Sequence, residues 1–171
     1  MVVWFGIGLA VGTPLAVPYL VQLAVMTGLV VWMDRGRPFS TSTLVGLLVW
    51  LNMHEAGGIV QVGDDSLYFT WIVPWLRWDH LVHMVGYAFA GLAAAEALER
   101  WVPNPKPALA AWMVFLGGTA VGSATEVVEW IVDYTISFAD VGDVVNTKLD
   151  LVANTVGALA AAEYRRRRVS I

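Results

Sequence analysis

Apolar positions run along this chain in five long stretches, separated by short polar or proline-bearing breaks. The first stretch extends from Val2 to Met33 and is interrupted by Gly12, Thr13, Pro14 and Pro18. One helix over all of it would overshoot a hydrocarbon core of about 30 Å. Two readings follow: a short apolar lead-in before one span near 15–33, or two tight spans. The part before Gly12 is too short for a full span, which favours the lead-in. The loop Asp34–Ser42 carries Arg35, Arg37 and Pro38. A second span is predicted near 43–62, with His54, Glu55, Gly57 and Gly58 towards its far end. Residues 63–78 are polar and aromatic, with Asp64, Asp65, Tyr68, Trp71, Trp75 and Trp78. That mixture predicts an interfacial segment along the membrane surface, with Pro74 breaking any helix there. A third span is predicted over 79–98, followed by the proline-rich turn Glu99–Pro107. A fourth covers 108–132, where Gly118 and Gly122 stand one turn apart and permit close helix packing. A fifth, 143–164, ends before Arg165–Arg168. The expected fold is all-α: a polytopic transmembrane helical bundle of about five spans, six if Val2–Met33 doubles back, forming a single membrane domain over 1–171.

Composition agrees. The 171 residues are 58% hydrophobic and 14% charged, with a mean hydropathy of +0.65. Soluble domains carry about 25% charged residues, so this chain lacks the charge to cover an aqueous surface. There is no cysteine, which excludes disulfides and thiolate chemistry. Any metal must be held by nitrogen and oxygen. The N-terminus lacks a basic region and its apolar stretch is too long for a signal peptide, so it is expected to stay in the protein.

Charge sets the orientation. Arg35 and Arg37, Arg100 and Lys106, and Arg165–Arg168 follow alternate spans and hold eight of the ten basic residues. The positive-inside rule makes their side cytoplasmic, with the C-terminus inside and the N-terminus outside. The expected location is the plasma membrane, crossed several times, with membrane lipids as the surroundings. Arg165–Arg168 reads as a stop and orientation signal with secondary affinity for anionic headgroups. It is too small a cluster for nucleic-acid binding. A homo-oligomer is compatible with the sequence.

The same topology gathers the acids on the opposite, extracytoplasmic side. Glu55, Asp64, Asp65, Asp79, Glu126, Glu129, Asp133, Asp140, Asp143 and Asp150 fall there with all three histidines, His54, His80 and His83. Asp79 and His83 are four apart and share a helix face. Glu126, Glu129 and Asp133 share another. Asp143, Asn146, Asp150 and Asn154 form a polar stripe down the fifth span. Ionisable residues within spans usually face a bundle interior or a wet cavity. The set is large enough for one or two divalent cations, and it resembles four-helix di-metal carboxylate sites. Each piece also has a plainer explanation. Asp79 and Asp143 can cap helices, Glu126 and Glu129 can be solvated at a span end, and His54 can be a satisfied core histidine. Asp64, Asp65 and Asp140 read as surface charge, and the tryptophans as interface anchors.

The residues so assembled resemble a family. Met53-His54-Glu55-Ala56-Gly57-Gly58, then Tyr68 and Pro74, Trp78-Asp79-His80-Leu81-Val82-His83, Glu126-Val127-Val128-Glu129-Trp130, and Gly142-Asp143-Val144-Val145-Asn146-Thr147-Lys148-Leu149-Asp150 look like the YjdF family of bacterial and archaeal inner-membrane proteins. The match covers roughly Leu51 to Ala160. This chain has Asn146 where the YjdF pattern usually has an acid. A looser resemblance, through Asp79/His83, Glu126/Glu129 and Asp150/Asn154/Gly157, is to VanZ-like proteins, associated with glycopeptide-antibiotic resistance. The resemblance implies a multi-span membrane protein with a polar site and supplies no reaction.

Three functions fit these features. The favoured one is an intramembrane metal-dependent hydrolase acting on a lipid-linked or envelope substrate. Its divalent metal (Zn, Mn or Mg) would draw ligands from His54, Asp79, His83, Glu129, Asp143 and Asp150. Glu55 or Glu126 would be the general base, and His80 would protonate the leaving group. The second is a proton- or cation-coupled transporter, disfavoured by the one-sided placement of the acids and the lack of an inverted repeat. The third is a non-catalytic scaffold, which would require fewer carboxylates.

Overall fold

Helices form where the apolar runs lie, and they stop at the glycine, proline and polar breaks. The protein is described here by a computed structural model covering residues 2–12, 16–35, 38–135 and 144–169. Six helices appear among them: α1 (Val2–Val11), α2 (Ala16–Asp34), α3 (Thr41–Ile59), α4 (Trp78–Leu98), α5 (Pro107–Thr135) and α6 (Val144–Val169). The lead-in is therefore itself helical. It ends at Gly12, whose φ of 71° suits a residue without a Cβ. Asp34 closes the following turn by accepting the Phe39 backbone N–H at 2.7 Å. α5 opens on Pro107, where the missing N–H costs nothing.

Between α3 and α4, residues 61–77 fold into two small hairpins, which the sequence pattern does not predict. β1 (Gln61–Val62) pairs with β2 (Asp65–Ser66) across Gly63 at φ 68°. β3 (Trp71–Val73) pairs with β4 (Leu76–Arg77) across the Pro74-Trp75 turn. A 3₁₀ turn, Leu67–Phe69, links the hairpins. Strands this short give no alternation to read in a sequence. The last one delivers Arg77 directly to the N-terminus of α4.

α4, α5 and α6 pack on one another as a three-helix unit, and α3 lies along α4. Small residues permit the close approach. A Cβ on Gly157 of α6 would come within 2.0 Å of the Met84 carbonyl oxygen of α4, and one on Gly118 of α5 within 2.6 Å of the Tyr87 carbonyl oxygen. Ala95, Ala110, Val114, Ala158, Ala161 and Ala162 fill the interior. Trp50 and Leu47 of α3 pack on Val82, and the Trp78 indole donates to the Met53 carbonyl at 3.1 Å. At the other end of α4, Glu96 caps the start of α3. It accepts from the Ser40 N–H at 2.8 Å, the Ser40 hydroxyl at 2.7 Å and the Thr43 hydroxyl at 2.8 Å. A carboxylate at a helix N-terminus is favourable. Nearby, Glu99 pairs with Arg165 of α6.

Large apolar side chains face outwards in rows: Val21, Val25, Leu29 and Trp32 on α2, Trp112 and Leu116 on α5, and Leu149, Val152, Val156 and Leu159 on α6. Continuous exposed apolar surface of this kind suits lipid better than water. By length and composition, Trp78–Leu98 and Pro107–Ile131 can each cross a membrane. The expected count of about five spans goes beyond those two.

The close contact at Gly157 predicts that Gly157→Ala destabilises the detergent-solubilised protein by about 1–3 kcal/mol. Gly28→Ala, where a Cβ would meet nothing within 4 Å, is the control and should be neutral or slightly stabilising. Thermal unfolding of both variants measures the difference.

Candidate functional site

Three helix ends meet at one end of the α4–α6 unit. α4 starts there and brings Asp79 and His83. α5 approaches its end there and brings Glu126 and Glu129. α6 starts there and brings Asn146, Asp150 and Asn154. All are buried except Glu129, which is partly exposed. Asp150 and Asn154 have only 1% of their surface accessible. Their spacings of three and four along each helix explain why each helix contributes a face and not a single residue.

The hydrogen bonds orient the groups. Asn146 donates through Nδ2 to Asp79 Oδ2 at 3.2 Å and to Asp150 Oδ2 at 2.5 Å. It thus ties down one oxygen of each carboxylate. Asn154 bridges differently: its Nδ2 donates to Glu126 Oε1 at 3.4 Å, and its Oδ1 lies 2.9 Å from His83 Nδ1. An amide oxygen can only accept, so Nδ1 carries the proton in this network. In neutral His83, Nε2 is then a bare lone pair, and it faces Asp79 Oδ1 at 3.4 Å. Two lone pairs opposed in this way can take a proton or a cation between them. Asp150 Oδ1 is buried and, among the described residues, has no hydrogen-bond partner.

Charge balance leads to the same conclusion. Asp79, Glu126, Glu129 and Asp150 bring four carboxylates together, and Arg77 approaches Asp79 Oδ2 at 3.6 Å. Burying unbalanced charge is strongly unfavourable. Two overlapping trios offer ligand atoms within 4.8 Å of one another: Asp79, His83 and Asp150, and His83, Glu126 and Glu129. His83 belongs to both; Asn154 holds its Nδ1, which leaves Nε2 turned to Asp79 of the first trio, and outer partners of metal-binding histidines commonly orient them in this way. Oxygen and nitrogen ligands suit Zn, Mn or Mg.

Other residues singled out in the sequence lie outside these trios. His54 sits on α3 between Gln22 of α2, 2.9 Å from its Nε2, and the Tyr68 hydroxyl, in close contact with its Nδ1. Both ring nitrogens are thus engaged away from the carboxylates. Glu55 is buried on α3 and belongs to neither trio. His80 is buried on the first turn of α4, where its Nδ1 accepts the Arg77 backbone N–H at 3.3 Å. Asp143 and the side chain of Asp133 fall outside the described residues. Sequence reasoning missed Arg77 and Gln22. Gln22 was visible as the one amide in the first apolar stretch, and Arg77 as a basic residue on the acidic side of the chain.

Residues 1–169 match the family described as "Predicted membrane protein (DUF2238)". The chain belongs to this family. It is accordingly a membrane protein, of a family without an assigned function, and the match supports the YjdF-like resemblance but not the VanZ-like one. No curated protein and no solved structure matches the chain.

Asn154 is the amide on which both His83 and Glu126 depend for orientation. Asn154→Leu, similar in volume, should cost about 1–3 kcal/mol by removing the amide that bonds both His83 Nδ1 and Glu126 Oε1, which would keep only their mutual 3.3 Å contact. The unfolding midpoint in detergent reads this directly, and an unchanged midpoint would show that the amide does not hold the network together.

Proposed function

We propose that this protein is a multi-pass plasma-membrane hydrolase whose divalent cation sits among Asp79, His83 and Asp150, and that it acts on a lipid-linked or envelope substrate. The observation that carries the reading is the set of three inward atoms left over once Asn146 and Asn154 have made their bonds: Asp79 Oδ1, His83 Nε2 and Asp150 Oδ1. Three protein ligands leave room in a cation's coordination shell for water. A cation in that position would lower the pKa of such a water and polarise a phosphoryl or carbonyl oxygen. Glu126 and Glu129, beside His83 on the far side, would accept the water's proton and return it to the leaving oxygen. The sequence points to Glu55 or Glu126 as the base and to His80 as the leaving-group acid; Glu55 and His80 lie outside the trios. In the orientation proposed here the chain crosses about five times with Arg165–Arg168 in the cytoplasm, so the site opens near the outer headgroups.

The second reading is that the cation is a proton shared between His83 and Asp79. The 3.4 Å separation of Nε2 and Oδ1 accommodates that as well. It would make the site a proton-binding element of a coupled transporter.

Metal analysis of detergent-purified protein separates the two. The hydrolase reading expects near-stoichiometric Zn, Mn or Mg. The metal should be lost in a His83→Ala/Glu129→Ala double variant and kept in His54→Ala, each checked for a monodisperse elution profile. Wild-type protein that stays metal-free after incubation with Zn, Mn, Mg and Ca would sink the metalloenzyme reading and favour the shared proton.

A further inference from the structure

Beside the carboxylates lies a group of unsatisfied donors. Arg77 ends β4 and immediately precedes α4, and His80 is on the first turn of that helix. His80 Nδ1 accepts the Arg77 N–H, so neutral His80 carries its proton on Nε2. Among the described residues that N–H is buried without a hydrogen-bond partner, in a residue with only 6% of its surface accessible. The Nε of Arg77 is likewise buried and without a partner. Only the Nη2 side of the guanidinium reaches Asp79, at 3.6 Å. Trp71 of β3 holds both residues. The guanidinium carbon lies 5.7 Å from its ring centre, and the His80 ring meets it edge-on at 6.4 Å. Phe69 supports the guanidinium from a further side at 5.6 Å.

We propose that Arg77 and His80 form a phosphate-recognition subsite next to the carboxylate cluster, so that the group presented to the cation is a phosphate-bearing one. This rests on the metal-site reading above and names its substrate class. The chemistry of the donors singles out phosphate. A guanidinium edge and an imidazole N–H are both donors and neither can accept, so they suit an anion with several acceptor oxygens. The N-terminus of α4, a 21-residue helix, adds a positive dipole end at the same place. Asp79 and its neighbours would repel an anion unless a cation stands between them. Phosphate binding is therefore expected to depend on the metal. The stacked guanidinium also fits the role, because a planar group held by aromatic faces keeps its edge free for a ligand.

Calorimetric titration of the full chain in neutral detergent tests the idea with three probes: inorganic phosphate, dioctanoyl phosphatidic acid and zwitterionic dioctanoyl phosphatidylcholine. Each is run on metal-loaded and chelator-treated protein, with the metal content of every sample measured. The expected result is binding of phosphate or phosphatidic acid to metal-loaded protein, weakened roughly tenfold or more in Arg77→Gln and in His80→Phe, with metal content kept. Binding of inorganic phosphate would identify free phosphate as a sufficient ligand, and binding of phosphatidic acid alone would assign the site to a lipid headgroup. Metal-loaded protein that binds neither, or binds them equally well in both variants, overturns the subsite and leaves the metal reading standing. Arg77- and His80-dependent binding in protein that takes up no metal would do the reverse.

Discussion

Carboxylates cannot be buried side by side in an apolar helix bundle unless positive charge or donors are buried with them. Both ends of the α4–α6 unit face this constraint, and they meet it differently. At one end each acid has its own protein partner. Glu99 is paired with Arg165, and Glu96 is surrounded by the hydroxyl and N–H donors that start α3. At the other end four carboxylates meet one arginine and one histidine, and Asp150 Oδ1 has no partner among the described residues. The same chain thus shows a buried acid matched by its own protein partner and, a helix length away, a set whose carboxylates outnumber their partners.

The second set depends on how closely the helices approach. His83 reaches Glu126 on α5 and Asn154 on α6 while keeping Asp79 one turn back on its own helix. A side chain of that length can bridge three helices only where their backbones nearly touch. Gly118 against Tyr87 and Gly157 against Met84 provide that contact. The alanines below them fill the axis with side chains too short to hold the helices apart. The small-residue core is therefore part of the site's construction, and the asparagines complete it by fixing which oxygen and which ring nitrogen point inwards.

Much of this was legible in the sequence, for identifiable reasons. Periods of three and four put Asp79 with His83 and Glu126 with Glu129. Alternation of basic loops placed these faces at a common depth, and the structure brings the two faces together with Asp150. Periodicity identifies a face but not its neighbour across the bundle. That is why His54 was grouped with the carboxylates, although its partners are Gln22 and Tyr68. Nor does it identify short hairpins: residues 61–77 carry interface aromatics, and nothing in their spacing announces β pairing two or three residues long. Arg77 went unnoticed for the same reason, since its importance comes from where the second hairpin delivers it. Asn146 and Asn154 lay on the polar stripe of the fifth span, but a stripe does not reveal which amide atom faces which carboxylate.

The distribution of polar groups also weighs the three functions against one another. A conduction path needs polar groups in series through the bundle. Between the carboxylate end and the Glu99–Arg165 end, the axis of α4–α6 is instead filled by Ala95, Ala110, Val114, Ala158 and Ala161. Ions or protons reaching the site would have to leave by the way they came or pass along another face. A scaffold needs buried polar pairs such as Glu99 and Arg165, and gains nothing from a buried carboxylate oxygen or imidazole N–H without a partner, as at Asp150 and His80 among the described residues. A buried group of potential ligand atoms at one end of the bundle, with an apolar axis beyond it, fits the proposed chemistry at one membrane surface better than a path through the bundle. This is the physical ground for favouring chemistry over conduction in this chain.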